Sequence, residues 1–463
     1  MPSRNSHPGT KPSTSRARSA ASVPVYARYL GAIVYTEEPA YYSAMYLKSV
    51  KLSNIRAIDD LTWELPEARA GWNVILGDNG AGKSTFLRAI ALALVGPNEA
   101  AALRQNWDEW LRADASSGSI DIQADSDESY DKFTGTGRRI ARYFLRANLQ
   151  FERSHAGVDL ESDSKDPERT FWSTGAGWFS ASYGPFRRFT GGDKDQEKLY
   201  YARPKLARHL SVFGESVALS ECLEWLKLLL FKKLERDPEG KLLEPLVQFI
   251  NQPGFLPHDT RLESISSKGV VFRDGNRCEV AIEQLSDGFR SILSMTLELI
   301  RQLASTYGPR RVFSEDANHV EVPGIVLIDE IDAHLHPAWQ RRVGPWLSTH
   351  FPELQFIVTT HSPFICQAAE VGTIYQLARP GSDAPSRMIE GVERDRLLYG
   401  SILDAYSTGA FGDGATRSPA SLAKMQRLAE LNVKELEQPL TDEEARERDE
   451  LRAILPTASL PEE

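Results

Sequence analysis

Short apolar runs, each followed at once by a glycine, an acidic residue or a histidine, dominate the hydrophobic pattern of this chain. The runs at residues 72–76, 324–328 and 357–360 are rich in β-branched and aromatic side chains and predict strands buried on both faces, as in a parallel sheet. Residues 290–302 have apolar side chains at helical spacing and predict an amphipathic helix. Residues 203–250 also have helical spacing, with a stripe that core or dimer packing explains better than a ligand site: Leu219, Leu223, Leu226, Leu230 and Leu234. This alternation of strands and helices predicts an α/β fold.

A glycine-rich loop at residues 77–84 joins the first of these strands to the helical sequence that begins at Thr85. The strand, loop and helix have the order and spacing of a P-loop, whose backbone N–H groups surround a polyphosphate at a helix N-terminus. Lys83 then reaches the β- and γ-phosphates, and the Ser84 hydroxyl lies where Mg²⁺ is held. The predicted nucleotide-binding residues of this segment are Gly77, Asn79, Gly80, Gly82, Lys83, Ser84 and Thr85.

Two carboxylates, Asp329 and Glu330, directly follow the apolar run at 324–328. Ligands of open α/β sheets bind at the carboxyl ends of the strands, so both acids are expected at the nucleotide site. We expect Asp329 to hold Mg²⁺ together with Ser84, and Glu330 to polarise the attacking water.

Two further motifs complete a recognisable order along the chain. Ser286 and Gly288 stand at the start of the amphipathic helix, where an anion is favoured, and His361 follows the run at 357–360. With the P-loop and the Asp329–Glu330 pair, this order resembles the ABC ATPases, specifically the soluble SMC/RecF-like branch. The resemblance implies that Ser286 and Gly288 complete the ATP site of a second subunit, and that His361 is the switch histidine at the γ-phosphate.

The resemblance extends from about residue 46 to about residue 377, where the chain is similar to a bacterial group of predicted ATP-binding proteins. Its members are ATPase subunits of anti-phage defence operons, including the Septu and retron-linked kinds. The stretches that carry this likeness are 182–188, 284–288, 329–337 and 360–363. It implies an ATP-hydrolysing subunit that assembles around nucleotide as a homodimer or a higher homo-oligomer. This subunit would sense a signal for, or regulate, a separate nuclease. The alternative is a RecF-like DNA-repair or DNA-binding ATPase, whereas the large insertion and unusual signature disfavour a transporter ATPase.

The implied fold is an ABC/SMC-type head with a mixed, largely parallel sheet flanked by helices. The head is expected at residues 45–382, with a β-rich and helical insertion at 108–280. No sustained heptads occur between Lys83 and Asp329, so the long coiled-coil arms of SMC proteins have no room. No acidic strand series follows Cys366 and no HNH pattern is evident, so a nuclease is expected on another polypeptide.

Both ends of the chain differ from the head in composition. Residues 1–44 open with a Ser/Pro/Arg-rich stretch and are predicted to be disordered or an extension, with Met45 as an alternative start to Met1. Residues 383–463 are predicted as a linker and a helical hairpin. Its first helix begins at Ser418 and Pro419, and a capping box at Thr441 begins the second. The hairpin is expected either to dock another subunit or to pack on its own head.

Composition and charge limit the remaining classes. The net charge of −10 argues against a protein coated for nucleic acid, although the charged insertion leaves room for a local DNA-facing patch. Three widely spaced cysteines fit a reducing cytoplasm better than a disulfide or zinc framework. The longest apolar runs, such as 228–231, are far too short to span a membrane. We therefore expect a cytoplasmic protein.

Two local assignments stay open. The glutamine loop of an ABC ATPase would lie either at Gln150, after a plausible strand, or at the turn of Tyr183 and Gly184. His334 and His336, close to Asp332, have a spacing that a metal clip would allow, but the chain offers no further ligand cluster. The resemblance places His336 where the D-loop usually has an aspartate.

Overall fold

The computed structural model describes residues 45–125, 130, 145–162, 167–170, 172–173, 178–187, 202–214, 221–382, 384–411 and 418–455. The predicted extension at residues 1–44, Leu219, and much of the charged part of the predicted insertion lie outside these residues.

The strands are β1 (Leu47–Ile55), β2 (Ile58–Glu64), β3 (Gly71–Leu76), β4 (Ser117–Ala124), β5 (Leu145–Ser154), β6 (Gly157–Glu161), β7 (Ser180–Tyr183), β8 (Arg261–Ser266), β9 (Gly269–Arg273), β10 (Glu279–Ala281), β11 (Gly324–Ile328), β12 (Leu354–Thr360), β13 (Ile374–Gln376) and β14 (Arg387–Met388). The helices are α1 (Lys83–Val95), α2 (Pro97–Ala100), α3 (Pro204–Ala207), α4 (Leu210–Phe213), α5 (Glu221–Leu234), α6 (Leu243–Ile250), α7 (Asp287–Tyr307), α8 (Pro337–His350), α9 (Pro363–Cys366), α10 (Gly391–Tyr399), α11 (Ile402–Tyr406), α12 (Pro419–Glu437) and α13 (Asp442–Ile454).

A six-stranded sheet carries the motifs predicted to bind nucleotide. Its order is β14-β13-β3-β12-β11-β7, and every pair is parallel except β13 with β14. The three apolar runs of the sequence are therefore adjacent central strands, with β12 between β3 and β11. Since parallel strands end at the same edge, this pairing brings the P-loop, Asp329 and His361 to one side of the sheet.

Both faces of this sheet are buried, as the apolar runs predicted. Val326, Ile328 and Val358 pack into one hydrophobic cluster, while Ile325 and Ile357 pack into the other. The first cluster includes side chains of α5 to α8, and the second includes α1 and a five-stranded antiparallel sheet. The α/β class with a mixed, largely parallel sheet flanked by helices is thus confirmed.

Within the segment predicted as an insertion, residues 108–280, two of the described strands pair with strands of the head. Strand β4 pairs antiparallel along β1, in a sheet of order β2-β1-β4-β5-β6, and β7 pairs in parallel with β11. A three-stranded sheet of order β10-β9-β8 lies near the end of the same segment. The hydrophobic pattern of one strand could not predict these long-range pairings, because it does not specify which other strand pairs with it.

Most of the leucine stripe in α5 is core packing. Leu226 is fully buried, and Leu223 and Leu230 pack against the cluster on the α7 side of the sheet. Leu234 was predicted on the same face but is 72% exposed, because the helix ends there.

The C-terminal hairpin forms with the predicted caps. Ser418 accepts a hydrogen bond from the Ser421 N–H at the start of α12, and Thr441 forms a capping box with Glu444 at the start of α13. The two helices enclose a small hydrophobic cluster of their own, made of Leu428, Leu431, Leu451 and Leu455.

In the part of the chain that the structure describes, no single helix is long and apolar enough to cross a bilayer. One pair bent by 112°, Lys83–Val95 with Pro97–Leu103, meets that test of length and composition only when both helices are counted together.

Candidate functional site

The loop between β3 and α1 is shaped by two glycines with left-handed backbone. Gly80 has φ 82° and Gly82 has φ 95°, conformations that a side chain would strain. A Cβ at Gly82 would also lie 3.0 Å from Ile58 of β2. The two glycines therefore let the loop turn into the N-terminus of α1, whose free N–H groups and positive dipole end suit a polyphosphate.

Lys83 is a buried cation at the base of this loop. Its Nζ donates to the carbonyl oxygens of Gly77 at 2.8 Å and Asp78 at 3.1 Å. Burial lowers the pKa of Lys83, and nearby carboxylates oppose that shift: Glu330, Asp329, Asp332 and Asp78. The Lys83 amine thus lies close to Asp329, the predicted metal ligand, and to Glu330, the carboxylate predicted to polarise the attacking water.

Asp329 and Glu330 directly follow β11, and one hydroxyl fixes both. Thr359 Oγ1, near the end of β12, donates to Asp329 Oδ1 at 2.6 Å and accepts from the Glu330 N–H at 2.7 Å. Asp329 is only 1% exposed. Glu330 has φ 45°, a left-handed conformation that costs a residue with a side chain about 1–3 kcal/mol and occurs mainly where surrounding contacts impose it.

The turn after Glu330 is tied to the end of β12 by a second set of hydrogen bonds. Thr360 Oγ1 donates to Asp332 and accepts from the Ser362 N–H. The Ser362 hydroxyl donates to Gln340 Oε1 at 2.7 Å, and Gln340 Nε2 donates to the Leu335 carbonyl at 2.9 Å. These bonds hold the segment from 330 to 336 against the strand that carries His361.

His361 lies at this same edge, exposed beyond the end of β12. Burial of part of the ring lowers the pKa of His361 below its ordinary 6.5, and the charge of Lys83 lowers it further. The structure therefore places Lys83, Asp329, Glu330 and His361 at the same edge of the sheet.

Ser286 and Gly288, the predicted signature residues, lie at the start of α7. Ser286 is the exposed N-cap residue of α7, and within the described residues its side chain makes no capping hydrogen bond. A Cβ at Gly288 would lie 2.7 Å from the His334 carbonyl oxygen, so glycine lets the first turn of α7 rest on the loop after Glu330. Within this chain, Gly288 thus contacts the loop that follows the acidic pair.

The open assignments are narrowed by the structure. Gln150 lies within β5 and donates to Asn148, so it does not follow a strand end. Gly184 follows β7, and Tyr183 accepts a hydrogen bond from the Asp329 N–H at 2.8 Å, which puts that turn beside the acidic pair. His336 caps α8, since its Nδ1 accepts from the Ala338 N–H. No group of three or more His, Cys, Asp or Glu side chains suited to a metal ion occurs among the described residues.

Sequence reasoning missed Arg187, whose guanidinium is buried beside the acidic pair. It donates to backbone carbonyls of Gly184 and Asp329 and to the hydroxyl of Ser291. The sequence signal was a basic residue just after a short strand, in a stretch that carried only family likeness. The hydroxyl pair Thr359 and Thr360, next to His361, was a second signal that was left without a role.

Arg56 lies in the turn between β1 and β2, close to α1. Its guanidinium lies 4.6 Å from the centre of the Trp110 ring, and its Nε is buried without a hydrogen-bond partner among the described residues. Burial lowers the pKa of Arg56, and the adjacent charge of Arg88 on α1 lowers it further. The nearby carboxylate of Glu109 opposes this lowering.

Together these residues fit a nucleoside triphosphate with Mg²⁺. The glycine backbone and Lys83 suit the phosphates, and the Ser84 hydroxyl and Asp329 carboxylate are the oxygen donors that Mg²⁺ prefers.

Family models match across this site. The model described as "AAA domain, putative AbiEii toxin, Type IV TA system" matches residues 120–367, more than half of the chain. A second, described as "AAA domain", matches residues 49–170. Between them the two matches include every motif from the P-loop to His361.

Curated relatives are similar over differing lengths. The Septu protein PtuA of Bacillus mycoides (strain KBAB4) is 25% identical over 333 residues, which are 70% of this chain and 39% of that protein. The retron Ec83 probable ATPase of Escherichia coli is 38% identical over 123 residues, 27% of this chain and 22% of that protein. The Septu protein PtuA of Bacillus thuringiensis is 24% identical over 383 residues, 81% of this chain and 86% of that protein. The chain thus spans less than half the length of the Bacillus mycoides protein and of the retron Ec83 protein. The predicted resemblance to Septu and retron-linked ATPases is confirmed.

Solved structures give weaker likenesses. An Smc head bound to the C-winged helix domain of ScpA superposes with a TM-score of 0.45 at 17% identity, over 75% of this chain and 99% of the other. The recombination mediator RecF superposes with a TM-score of 0.40 at 14% identity, over 76% of this chain and 100% of the other.

Proposed function

The chain belongs to the AAA-domain family whose model covers residues 120–367, and we propose that it binds and hydrolyses ATP with Mg²⁺ at the edge of its parallel sheet. The observation that carries this proposal is the convergence of the buried Lys83 with Asp329, Glu330 and His361 at the strand ends.

The loop residues bind the phosphates in this proposal. Lys83 exchanges the carbonyls of Gly77 and Asp78 for charged phosphate oxygens, and such charge-assisted bonds are stronger than those to neutral acceptors. The backbone N–H groups of the loop supply further donors, from Gly77, Asn79, Gly80, Gly82, Lys83, Ser84 and Thr85. When bound, Mg²⁺, held by Ser84 and Asp329, supplies charge neutralisation at the phosphates.

Glu330 accepts a hydrogen bond from the attacking water and orients it. The left-handed backbone at Glu330, held by the Thr359 hydroxyl, determines where its carboxylate points. His361, whose pKa is lowered by partial burial and by the charge of Lys83, offers a ring N–H to the terminal phosphate. Positioning and charge stabilisation account for most of the catalysis in phosphoryl transfer, and these residues supply both.

Dimerisation around nucleotide follows from the signature residues. Ser286 is exposed at the N-terminus of a 21-residue helix, where the helix dipole and free N–H groups favour an anion. We infer that Ser286 and Gly288 of one copy complete the ATP site of a second copy. ATP binding then assembles the dimer, and hydrolysis releases it.

The names of the relatives support a place in anti-phage defence. Septu proteins and retron ATPases are among the similar curated proteins, and this chain covers less than half the length of two of the three described above. We propose a sensor or regulatory ATPase that controls a nuclease encoded by a separate gene. Co-purification of the nuclease encoded by a neighbouring gene, from cells that express both genes, tests this role. If no nuclease co-purifies with the chain, the proposed control of a nuclease is wrong.

ATP turnover by the purified chain, with Mg²⁺ and with EDTA in its place, tests the enzymatic proposal. Phosphate release that requires Mg²⁺ is expected. Equal background rates in both, from a protein shown to be folded, would contradict it.

A further inference from the structure

Arg187 connects three parts of the head through one side chain that is 3% exposed. Its Nη1 donates to the carbonyls of Gly184 at 2.9 Å and Asp329 at 2.8 Å. Its Nη2 donates to those of Glu330 at 3.1 Å and Ile331 at 3.4 Å. Its Nε donates to Ser291 Oγ on α7 at 3.0 Å.

The acceptors show what this side chain holds. The carbonyls of Asp329, Glu330 and Ile331 are consecutive, and in an extended strand successive carbonyls point to opposite sides. They converge on one guanidinium because Glu330 has φ 45°. Thr359 binds the N–H of Glu330 and Arg187 binds its carbonyl, so the strained residue is held at both ends of its backbone.

The other end of the contact is the helix that begins with the signature. Ser291 lies just after the first turn of α7, four residues beyond Asp287, and Ser294 donates to the Arg187 carbonyl at 3.4 Å. Gly288 of the same helix rests on His334, in the loop after Glu330. A shift of the α7 N-terminus therefore has a direct path to the backbone of Glu330.

We propose that Arg187 is a positioning residue that couples the signature helix to the catalytic Glu330. This proposal rests on the ATPase function proposed above, and it identifies Arg187 as the side chain that links α7 to Glu330. When a second copy's nucleotide engages the start of α7, Arg187 transmits that contact to Glu330, so that full turnover requires the assembled dimer.

The guanidinium remains charged in this environment. Burial lowers the pKa of Arg187 to about 10, and the charges of Asp329, Asp332 and Glu330 limit the shift. The planar guanidinium can donate hydrogen bonds to several carbonyls at once. A lysine ammonium acts as a point charge and cannot reach all of them.

Two variants test the coupling from its two ends, with a matched control. Arg187→Lys keeps the charge but loses most of the fork, and Ser291→Ala removes the acceptor on α7. The control is Arg394→Lys. Arg394 also donates to three backbone carbonyls that are close in sequence, those of Ala369, Glu370 and Gly372, but it lies away from the nucleotide-binding motifs. ATP affinity, kcat and melting temperature are measured for each, and ATP-dependent dimer mass is measured in the Glu330→Gln background.

Coupling predicts a split between binding and turnover. Arg187→Lys and Ser291→Ala should bind ATP within about threefold of wild type and still dimerise, while kcat falls about tenfold or more because Glu330 is misplaced. The double variant should be no worse than the more severe single one, since both break one unit. Arg394→Lys should lower the melting temperature at most and leave kcat unchanged.

A kcat within about twofold of wild type for Ser291→Ala and for folded Arg187→Lys would overturn the coupling and leave the ATPase proposal standing. Parallel losses of affinity and turnover, or additive effects in the double variant, would reduce Arg187 to a structural residue. A wild-type protein without turnover would overturn both proposals together.

Discussion

Lys83 uses the carbonyl oxygens of its own loop as hydrogen-bond acceptors, and this arrangement shows what the residue needs. Gly77 and Asp78 provide neutral acceptors to a buried ammonium, whose pKa is lowered by its burial. A phosphate oxygen would provide a charged acceptor at the same amine. At the scale of single residues, the site is therefore a buried cation whose most favourable partner is an anion.

Replacing Lys83 and Glu330 should separate binding from chemistry. Lys83→Ala removes the charged donor and should weaken ATP binding about tenfold to a hundredfold, because bonds to charged groups contribute about 1.5–3 kcal/mol. Glu330→Gln should bind ATP normally and lower turnover about a hundredfold or more, the usual effect of losing a general base. Isothermal titration and phosphate release measure the two quantities. Equal turnover by wild type and Glu330→Gln would remove Glu330 from its role.

Thr359 should matter through its hydroxyl alone. Thr359→Val has nearly the same shape but leaves the Glu330 N–H and the Asp329 carboxylate without this partner, which should cost about 1–3 kcal/mol of unfolding free energy. Turnover should fall as well, because the acidic pair is no longer oriented. Thr359→Ser keeps the hydroxyl and serves as the control. Denaturant unfolding and kcat values that are equal for the valine and serine variants would contradict this account.

Residues with motif positions could be predicted from the sequence, and residues that support them could not. Lys83, Asp329 and His361 each follow a predicted strand, and parallel pairing places strand ends together. Arg187 gains its meaning from the pairing of β7 with β11, which no local pattern shows. The resemblance places His336 where the D-loop usually has an aspartate, and the structure adds that its side chain caps α8 in front of Pro337.

At the scale of elements, the apolar strands at the centre of the sheet were predictable, and the polar or very short strands were not. The runs of β3, β11 and β12 are apolar, while β7 has the sequence Ser-Ala-Ser-Tyr and β13 has only three residues. Ser180 and Ser182 in β7 bind the two ring nitrogens of the buried His209 at 3.0 Å each, so its polar side chains are satisfied by a partner distant in sequence. Hydrophobic periodicity cannot detect a strand of this kind.

The C-terminal hairpin is an element whose removal should leave the site intact. Its hydrophobic cluster is separate from those of the head, and α12 has large exposed apolar side chains at Leu422, Met425, Val433 and Leu436. Deleting residues 418–455 should abolish co-purification of the partner and leave kcat within about twofold, because the strand ends that hold the acids are untouched. A pull-down beside an ATPase assay measures both. Intact partner recovery, or a large loss of turnover, would instead indicate that the hairpin packs on its own head.

At the scale of the whole molecule, charge limits the contacts with nucleic acid. The chain has a net charge of −10, so the isolated protein should bind duplex DNA weakly and lose that binding as salt rises. Fluorescence anisotropy at two salt concentrations measures this. Nanomolar binding to a duplex at physiological salt, without a partner, would favour a DNA-repair ATPase.

In the proposed mechanism, the exposed signature residues make assembly of two copies the central step. Ser286 is free of capping bonds among the described residues, and Gly288 brings the start of α7 onto the loop after Glu330. A site completed in this way by a second copy binds nucleotide fully only as a dimer. Ser286→Arg should therefore prevent ATP-dependent association without unfolding the chain, because it places a bulky side chain at the exposed helix start.

The most direct test is the mass of the Glu330→Gln protein in solution, measured by light scattering with and without saturating ATP. We expect at least twice the 51.7 kDa mass of one chain when ATP is present, and a lower average mass without it. The Ser286→Arg, Glu330→Gln double variant should stay at the mass of one chain under both conditions. A Glu330→Gln protein that binds ATP and remains strictly monomeric at saturation would contradict the composite site.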